Sequence, residues 1–307
     1  MRVVFFGTPE FAVPSLLALV GEGFDVEAVV TPPDKAQGRS RSKLIPCPVK
    51  VAATAEGLPV LEPERPSDPE FLDRLKMIAP DVGVVVAYGH ILKPELLAVP
   101  RRGMVNVHPS LLPELRGAAP IEWAIVNGLE KTGVTIMLME AGLDSGPILH
   151  QLPERIPTDA TGGELSTHLA EVGAQALIEA LGLWEQEAIT PVPQHHDRAT
   201  YAPKLTRAAA RVVWNHPAAN LARAIRGFDP RPGAWAELDG REVKLFGARP
   251  TDARGAPGAV LRADAALVIA AGDGALEVAE VQPAGKPRMD AAAWVRGRGV
   301  AAGQRFS

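Results

Sequence analysis

The sequence contains a single cysteine and no long apolar segment. One cysteine, Cys47, excludes a disulfide framework within the chain and a cysteine-rich zinc site. No apolar run reaches the roughly 20 residues that a membrane-spanning helix needs. From Arg2 the chain enters a strand-like apolar run, without the basic region and cleavage site of a signal peptide. We therefore expect a cytoplasmic protein that does not associate with membranes.

The glycine fingerprint of dinucleotide-binding enzymes is also absent. The first apolar run ends in Gly7-Thr8-Pro9-Glu10-Phe11-Ala12, whereas a dinucleotide site has G-x-G-x-x-G in this place. A proline and a carboxylate make a poor cradle for pyrophosphate. We therefore discount an enzyme that uses NAD or FAD. No internal repeat or low-complexity tract is found either.

Composition and charge indicate a globular protein with two unlike halves. Hydrophobic residues make up 47% and charged residues 22% of the 307 residues, a length typical of two domains. Residues 1–188 carry 15 Lys and Arg against 25 Asp and Glu, whereas residues 189–307 carry 17 against 11. A basic second half is typical of a domain that binds an anionic macromolecule. A chance scatter of charge would give the same counts.

The apolar pattern of the first 188 residues predicts a Rossmann-like α/β domain. Strand-like runs alternate with segments of helical spacing, and nearly continuous apolar strands are typical of a parallel sheet buried on both faces. The predicted strands are 2–7, 25–30, 81–87, 104–108, 132–139 and 148–156, and the predicted helices are 10–20, 68–78, 121–127 and 164–184.

A proline-containing segment, residues 189–207, predicts a linker. Beyond it, short alternating apolar runs surround one helical stretch at 218–226. That spacing predicts a small β barrel of the OB kind. The predicted organisation is therefore a first domain over 1–188, a linker over 189–207 and an OB-like domain over 208–307.

Polar side chains occur at the end of the predicted strand 104–108. Asn106 and His108 are two residues apart, so their side chains share one face of an extended chain. Asp144 lies in a glycine-rich turn, Glu140 to Pro147, that can return it towards the strand ends. Asn and protonated His can stabilise a tetrahedral oxyanion, His can move a proton from an attacking amine, and a carboxylate can orient the imidazole. A direct attack by an amine needs no Ser or Cys nucleophile.

Spacing alone does not exclude a purely structural role for these residues. An Asn-x-His pair at a strand end is often structural, and Asp144 is a typical turn residue. The His195-His196 pair would suit a metal, but no Cys or carboxylate cluster accompanies it, which favours a solvated segment. The basic stretch from Asp34 to Lys50 is longer than an ordinary connection and could contact phosphates or be a solvated loop.

Longer motifs carry a resemblance to a known family. The stretches Asn106 to Pro120 and Gly142 to Ile148 closely resemble the formyltransferases that use 10-formyltetrahydrofolate. Val4 to Ala12, Pro46 to Lys50 and Tyr201 to Leu205 are similar to the members that act on methionyl-tRNA. The resemblance spans nearly the whole chain, including the two-domain layout.

The resemblance implies transfer of a formyl group from 10-formyltetrahydrofolate to the α-amine of methionine on initiator tRNA, by a monomer without a metal. It implies that Asn106, His108 and Asp144 are catalytic. It places the folate at Ser110, Leu111, Leu112 and Pro113, with Ala87, Tyr88 and Gly89 at the same pocket. It assigns the tRNA to the basic loop 34–49 and the second domain, through Lys35, Arg39, Arg41, Lys43 and Lys204.

Three other functions remain to be distinguished. A formyltransferase for an amino sugar nucleotide would share the catalytic core without needing a basic loop. A folate-dependent hydrolase would use water as the acceptor. A non-catalytic RNA-binding protein is disfavoured because all three polar residues of the core are present.

Overall fold

A computed structural model describes residues 1–37 and 43–307 of the chain. The strands, numbered along the chain, are β1 (Arg2–Gly7), β2 (Asp25–Val30), β3 (Lys35–Gln37), β4 (Lys43–Ile45), β5 (Val60–Leu61), β6 (Val82–Val86), β7 (Met104–His108), β8 (Arg116–Gly117), β9 (Lys131–Leu138), β10 (Ile148–Arg155), β11 (Tyr201–Ala202), β12 (Trp235–Leu238), β13 (Arg241–Thr251), β14 (Val260–Ala263), β15 (Leu267–Ala270), β16 (Ala275–Pro283) and β17 (Met289–Asp290).

The α-helices are α1 (Val13–Gly21), α2 (Pro48–Ala55), α3 (Pro69–Ile78), α4 (Pro94–Leu97), α5 (Pro120–Val126), α6 (Gly162–Glu185), α7 (Ala218–Gly227) and α8 (Ala291–Arg296), with short 3-10 helices at Glu10–Ala12 and His196–Arg198. No helix in the described ranges is long and apolar enough to cross a membrane.

The chain forms two units that are discontinuous in sequence. The first unit contains Met1–Gly117, Thr132–Glu154 and Ser166–Tyr201, and the second contains Ala118–Lys131, Arg155–Leu165 and Ala202–Ser307. The boundaries predicted from sequence, 1–188, 189–207 and 208–307, stay a prediction about folding domains. Each unit has its own sheet.

A seven-stranded sheet in the order β10-β9-β7-β6-β1-β2-β5 organises the first unit. From β7 to β5 neighbouring strands are parallel, and β9 is antiparallel to β7. Every residue of β6 is buried, as is every residue of β1 after Arg2, because valine and phenylalanine cover both faces. The chain reverses its direction across the sheet between β1 and β6, which is where open α/β sheets bind ligands.

An antiparallel sheet in the order β12-β13-β16-β15-β14 organises the second unit, with β17 paired to β16. Helix α7 packs on this sheet through Leu221 and Ile225, which are buried in the apolar core. The last residues hydrogen-bond to both edges of the sheet. The amide of Ser307 donates to the carbonyl of Glu237 in β12, and the amide of Phe306 donates to the carbonyl of Gly258 before β14.

The predicted α/β architecture of the first part and the β-sheet nature of the last part are confirmed. The six predicted strands of the first part appear within one or two residues of their predicted ends. The basic connection after β2 differs from the predicted loop, since β3 and β4 form an antiparallel pair within it. Residues 38–42 lie outside the described residues.

Candidate active site

The carboxyl end of β7 carries the two residues that the sequence analysis placed on one face. In the sheet Asn106 is paired with Val85 of β6, and His108 with Thr135 of β9. His108 is only 4% exposed. Asn106 is half-buried, and its side chain makes no hydrogen bond to any residue in the described part of the chain. Its amide protons are therefore available to a ligand.

The orientation of the His108 ring follows from a backbone carbonyl. Nε2 of His108 lies 3.1 Å from the carbonyl oxygen of Leu115. A carbonyl only accepts, so Nε2 is the nitrogen that carries a proton in the neutral ring. Leu115 has a φ of 58°, a left-handed conformation that helps to form the sharp turn presenting this carbonyl. Nδ1 is left to face the site.

The turn after β9 returns Asp144 to the same place. Oδ2 of Asp144 lies 3.8 Å from Nδ1 of His108 and accepts a 2.8 Å hydrogen bond from the amide of Gly117. Asp144 has a φ of 45°, a conformation that Asp tolerates better than most residues. A Cβ at Gly146 would overlap the carbonyl oxygen of Leu138, so the turn closes only with glycine at that position. The predicted meeting of Asn106, His108 and Asp144 at one edge is supported by this geometry.

A buried amide that the sequence analysis did not single out holds this turn. Nε2 of Gln194 donates to the carbonyl oxygens of Asp144 and Gly146, at 2.9 and 2.7 Å. Its Oε1 accepts from Nε and Nη2 of Arg116, at 3.1 and 2.6 Å. Arg116 and Gln194 are 4% and 6% exposed. Gln194 therefore links the motif containing Arg116 to the turn containing Asp144.

Sequence reasoning missed Gln194 because residues 189–207 looked like a linker. The amide stands among exposed polar residues and prolines, and its sequence position gives no signal of burial. Its neighbours His195 and His196 are exposed, and Nδ1 of His196 accepts a 3.0 Å hydrogen bond from Nη2 of Arg116. Only the folded chain shows that this segment reaches the site.

We expect Gln194→Leu to destabilise the protein by about 3 kcal/mol, since it leaves buried donors of Arg116 and two carbonyls unpaired. Turnover falls as well, because the turn that carries Asp144 loses its tether. Chemical denaturation and steady-state kinetics measure both effects.

Gln175→Leu, an exposed position on α6, is the matched control. Adding Arg116→Leu to Gln194→Leu is expected to recover part of the lost stability, because the pair is then removed together. Wild-type stability and turnover in Gln194→Leu would show that the network does not position Asp144.

Burial sets the charge of His108 in the free site. Removal from water lowers the pKa of His108 below its ordinary value, although the Asp144 carboxylate and the Leu115 carbonyl act in the opposite direction. The resting ring is therefore neutral near pH 7, with an unprotonated Nδ1 on the side of Asp144. The sequence analysis gave protonated His108 a share in oxyanion stabilisation. In the folded site that charge has to arise during the reaction.

The segment Ser110 to Pro113 is held in shape by bonds to its neighbours. Ser110 and Leu112 are buried, and the Ser110 hydroxyl donates to the carbonyl of Glu114 at 2.6 Å. The Thr135 hydroxyl accepts from the amide of Leu112 and donates to the carbonyl of Ser110. Leu111 and Pro113 are half-buried. Leu111, Pro113 and backbone groups are therefore the parts of this segment left to meet a ligand.

The turn Ala87-Tyr88-Gly89 lies next to the end of β7. Ala87 and Gly89 are exposed and have positive φ values of 46° and 85°. The Tyr88 ring turns inwards and packs edge-on against Phe6, with ring centroids 5.5 Å apart. Burial raises the pKa of Tyr88 to about 12. The Thr8 hydroxyl donates to the Tyr88 carbonyl at 2.8 Å, which ties the ends of β1 and β6 together.

The residues predicted to contact tRNA are not brought together with this site by any described contact. Arg39 and Arg41 lie outside the described residues. Lys35 begins β3 and Lys43 begins β4. Lys204 is exposed and belongs to the second unit.

A free amide donor, a neutral buried imidazole and a nearby carboxylate suit one kind of reaction. They can stabilise an oxyanion and move a proton while a nucleophile attacks a carbonyl-type carbon directly. The Ser110 hydroxyl is occupied by a backbone bond, and Cys47 has no described contact with the site. Fold and site together define an α/β protein with the groups of a transferase that moves an acyl-type group.

The chain belongs to the formyl transferase family. The family model described as "Formyl transferase" matches residues 1–181, and the model of its C-terminal domain matches residues 204–299. Two similar curated proteins are the methionyl-tRNA formyltransferases of Magnetococcus marinus and Moorella thermoacetica. They are 45% and 46% identical to this chain, and each comparison covers 99% of this chain and 98% of the relative.

A solved structure has the same fold at low identity. It is an N-formyltransferase from Helicobacter canadensis in complex with folinic acid and dTDP-3-aminofucose. The TM-score is 0.69 at 17% identity, over 92% of this chain and 99% of that one.

Proposed function

We propose that this protein transfers a formyl group from 10-formyltetrahydrofolate to the α-amine of methionine on initiator tRNA, for translation initiation in the cytoplasm. The observation that supports the proposal is the Asp144 carboxylate 3.8 Å from Nδ1 of His108, with Asn106 two residues before His108 on β7. Nearly full-length similarity to curated methionyl-tRNA formyltransferases supports the choice of acceptor.

In the proposed mechanism the neutral α-amine attacks the formyl carbon, and a new C–N bond forms. Nδ2 of Asn106 donates a hydrogen bond to the formyl oxygen as that oxygen becomes negative. Nδ1 of neutral His108 takes a proton from the attacking nitrogen, directly or through water. The proton passes to N10 of the folate as the C–N10 bond breaks, which releases tetrahydrofolate and the formylated tRNA.

Asp144 acts on the charge that appears on His108. The carboxylate faces Nδ1 at 3.8 Å, so it stabilises the imidazolium once the proton has arrived. The carbonyl of Leu115 keeps the ring in place throughout. The imidazolium then adds a positive charge near the oxyanion, alongside the neutral amide donor of Asn106. This order reconciles a neutral resting His108 with a positively charged one in the transition state.

The folate is proposed to bind beside this centre. Leu111 and Pro113 lie on the loop that follows β7, and Ala87 and Gly89 lie on the turn that follows β6. Both follow parallel strands next to the point where the chain reverses across the sheet, which supports a ligand site there. The similar Helicobacter canadensis enzyme, solved with folinic acid, is consistent with such a ligand.

The tRNA is proposed to bind through the basic loop 34–49 and the second unit, Lys204 included. The excess of basic residues after residue 189 supports this assignment. We also propose that the second sheet is an OB-like barrel, because residues 306–307 hydrogen-bond next to both of its edge strands.

Apparent affinity for tRNA is expected to fall steeply with salt, since binding releases counterions from the RNA backbone. Replacing Arg39 and Arg41 together by alanine is expected to reduce the slope of log K against log salt by about 2. Filter binding at several salt concentrations measures the slope. The control replaces Arg65 and Arg74, two exposed arginines of the first unit, by alanine. An unchanged slope in the Arg39/Arg41 variant would show that these two residues do not contact RNA phosphates.

One assay distinguishes the competing acceptors. Formyl transfer from 10-formyltetrahydrofolate is measured with Met-tRNA, uncharged tRNA, dTDP-3-aminofucose and water. We expect a product with Met-tRNA alone. Transfer to the amino sugar, or release of formate without an acceptor, would replace the proposal by one of the alternatives.

A further inference from the structure

A cleft in the second unit gathers three arginines that have no carboxylate partner. It has a volume of about 550 Å³ and is lined by Ile125, residues 128–130, residues 155–158, Arg223 and Arg226. Arg223 and Arg226 are three residues apart on α7, so they lie on one face of the helix. Arg155 ends β10 and also lines the cleft. None of the three makes an ion pair within 4.0 Å in the described part of the chain.

The donors of this cleft are left unsatisfied. Nε of Arg223 and Nε of Arg226 are both buried without a hydrogen-bond partner. Nη2 of Arg223 donates to Oδ1 of Asn220 at 2.6 Å. Buried donors without partners are rare in folded proteins, and a missing ligand is one of their ordinary explanations.

The wall of the cleft is shaped to admit a guanidinium. Gly128 has a φ of 72°, and a Cβ there would lie 3.0 Å from Nε and 3.1 Å from Cζ of Arg223. A Cβ there would crowd the Arg223 side chain, so glycine at this position leaves room for the guanidinium beside the cleft wall.

The local charge is positive and only partly compensated. Burial and the neighbouring charge of Arg223 lower the pKa of Arg226, and Asp159 offsets this in part. Glu130 lines the cleft but is exposed and not paired with any of the three arginines. An anion between the guanidinium groups would relieve the repulsion and satisfy the free donors.

We propose that this cleft binds the phosphate group of a phosphorylated ribose unit, held by Arg223 and Arg226 with the exposed Arg155 as a third cationic group. Arginine is the residue best suited to phosphate, because its planar donors match the phosphate oxygens. The cleft is larger than a phosphate ion, and Ile125, Leu129 and Ile156 line the rest. A sugar has room against those apolar side chains. The phosphate belongs to an RNA backbone or to a free nucleotide, and the RNA source rests on the function proposed above.

The test uses the full-length protein without folate. Isothermal titration calorimetry with AMP and with inorganic phosphate is carried out on the wild type, on Arg223→Met/Arg226→Met and on Arg254→Met/Arg296→Met. The last variant removes the same charge from exposed positions of the same unit. We expect saturable binding by the wild type and the control, and a dissociation constant raised about tenfold or more in the first variant. No saturable binding by the wild type, or equal binding by all three, would overturn the proposal.

Two further variants guard against misfolding. Arg155→Met changes only an exposed residue and is expected to weaken AMP binding without altering the melting temperature. Arg226→Lys keeps the charge and is expected to retain part of the binding. If Arg155→Met and the Arg223/Arg226 variant both bind AMP as the wild type does, the arginines are not a phosphate site.

The salt dependence of tRNA binding distinguishes an RNA backbone from a free nucleotide as the source of the phosphate. A salt slope lowered by about 2 in Arg223→Met/Arg226→Met assigns the cleft to the RNA backbone. An unchanged slope with lost AMP binding assigns it to a free nucleotide. Formyl transfer to Met-tRNA is measured separately, so the failure of the proposed reaction and the failure of this site are distinguishable.

Discussion

Replacement of Asn106 by alanine is expected to lower kcat by about 10²–10³-fold, the usual cost of removing one oxyanion donor. The dissociation constant for Met-tRNA is expected to change far less, because the amide acts on charge that develops only in the transition state. Single-turnover kinetics and filter binding measure the two quantities.

The stability of the same variant makes the test specific. The Asn106 side chain makes no hydrogen bond in the described residues, so its loss leaves no buried partner unsatisfied. The free energy of unfolding is expected to stay within about 1 kcal/mol of the wild type. Asn106→Asp, which keeps the shape but replaces the donor by an acceptor, is expected to lose as much activity. Asn127→Ala, at an exposed position after α5, is the control. Near wild-type turnover in either Asn106 variant would remove Asn106 from the catalytic groups.

The elements of the first unit were predictable because their signals are local. Strands such as β6 are continuous runs of valine and glycine, and burial on both faces is typical of a parallel sheet. The same pattern did not predict that β9, also buried on both faces, is antiparallel to β7. The pairing of Asn106 with His108 is likewise local, since a spacing of two on a strand fixes a shared face. Such features can be predicted from a few consecutive residues.

Features without a pattern of apolar and polar residues were not predictable in the same way. The Leu115 carbonyl orients His108 because the backbone at Leu115 is left-handed. The direction of a backbone carbonyl cannot be inferred from the type of side chain at that position. Gln194 reaches Asp144 across 50 residues, from a segment whose composition is typical of a linker. The short strands β3 and β4 lie in a polar stretch with little apolar alternation. None of the three shows as a periodic pattern in the sequence.

Replacement of Asp144 by asparagine is expected to lower kcat by about 10²–10³-fold while the turn stays in place, within the range that assisted proton transfer contributes. An asparagine oxygen can still accept the amide hydrogen of Gly117, so the variant removes the charge and keeps the shape. The imidazolium that forms on His108 then has no carboxylate at 3.8 Å to stabilise it. Asp197→Asn, at an exposed position, is the matched control.

The pKa of His108 provides a second measurement of the role of Asp144. A purely structural role of Asp144 would leave this pKa unchanged in Asp144→Asn. Burial lowers that pKa, and the Asp144 carboxylate raises it by favouring the charged ring. Removing the carboxylate therefore leaves desolvation less opposed, and the pKa of His108 in Asp144→Asn is expected to lie below that of the wild type. NMR titration of the free enzyme, with the signal assigned by His108→Ala, measures the change without interference from the substrate amine.

The sign of that shift separates two roles of Asp144. If the carboxylate acts on His108 by charge, a downward shift of the pKa accompanies the loss of turnover. If it only shapes the turn, asparagine preserves both the pKa and the rate, because the bond to Gly117 survives. An unchanged or raised pKa with wild-type turnover would contradict the proposed mechanism. A lower pKa with slow turnover links the charge that forms on His108 to the step in which the amine attacks.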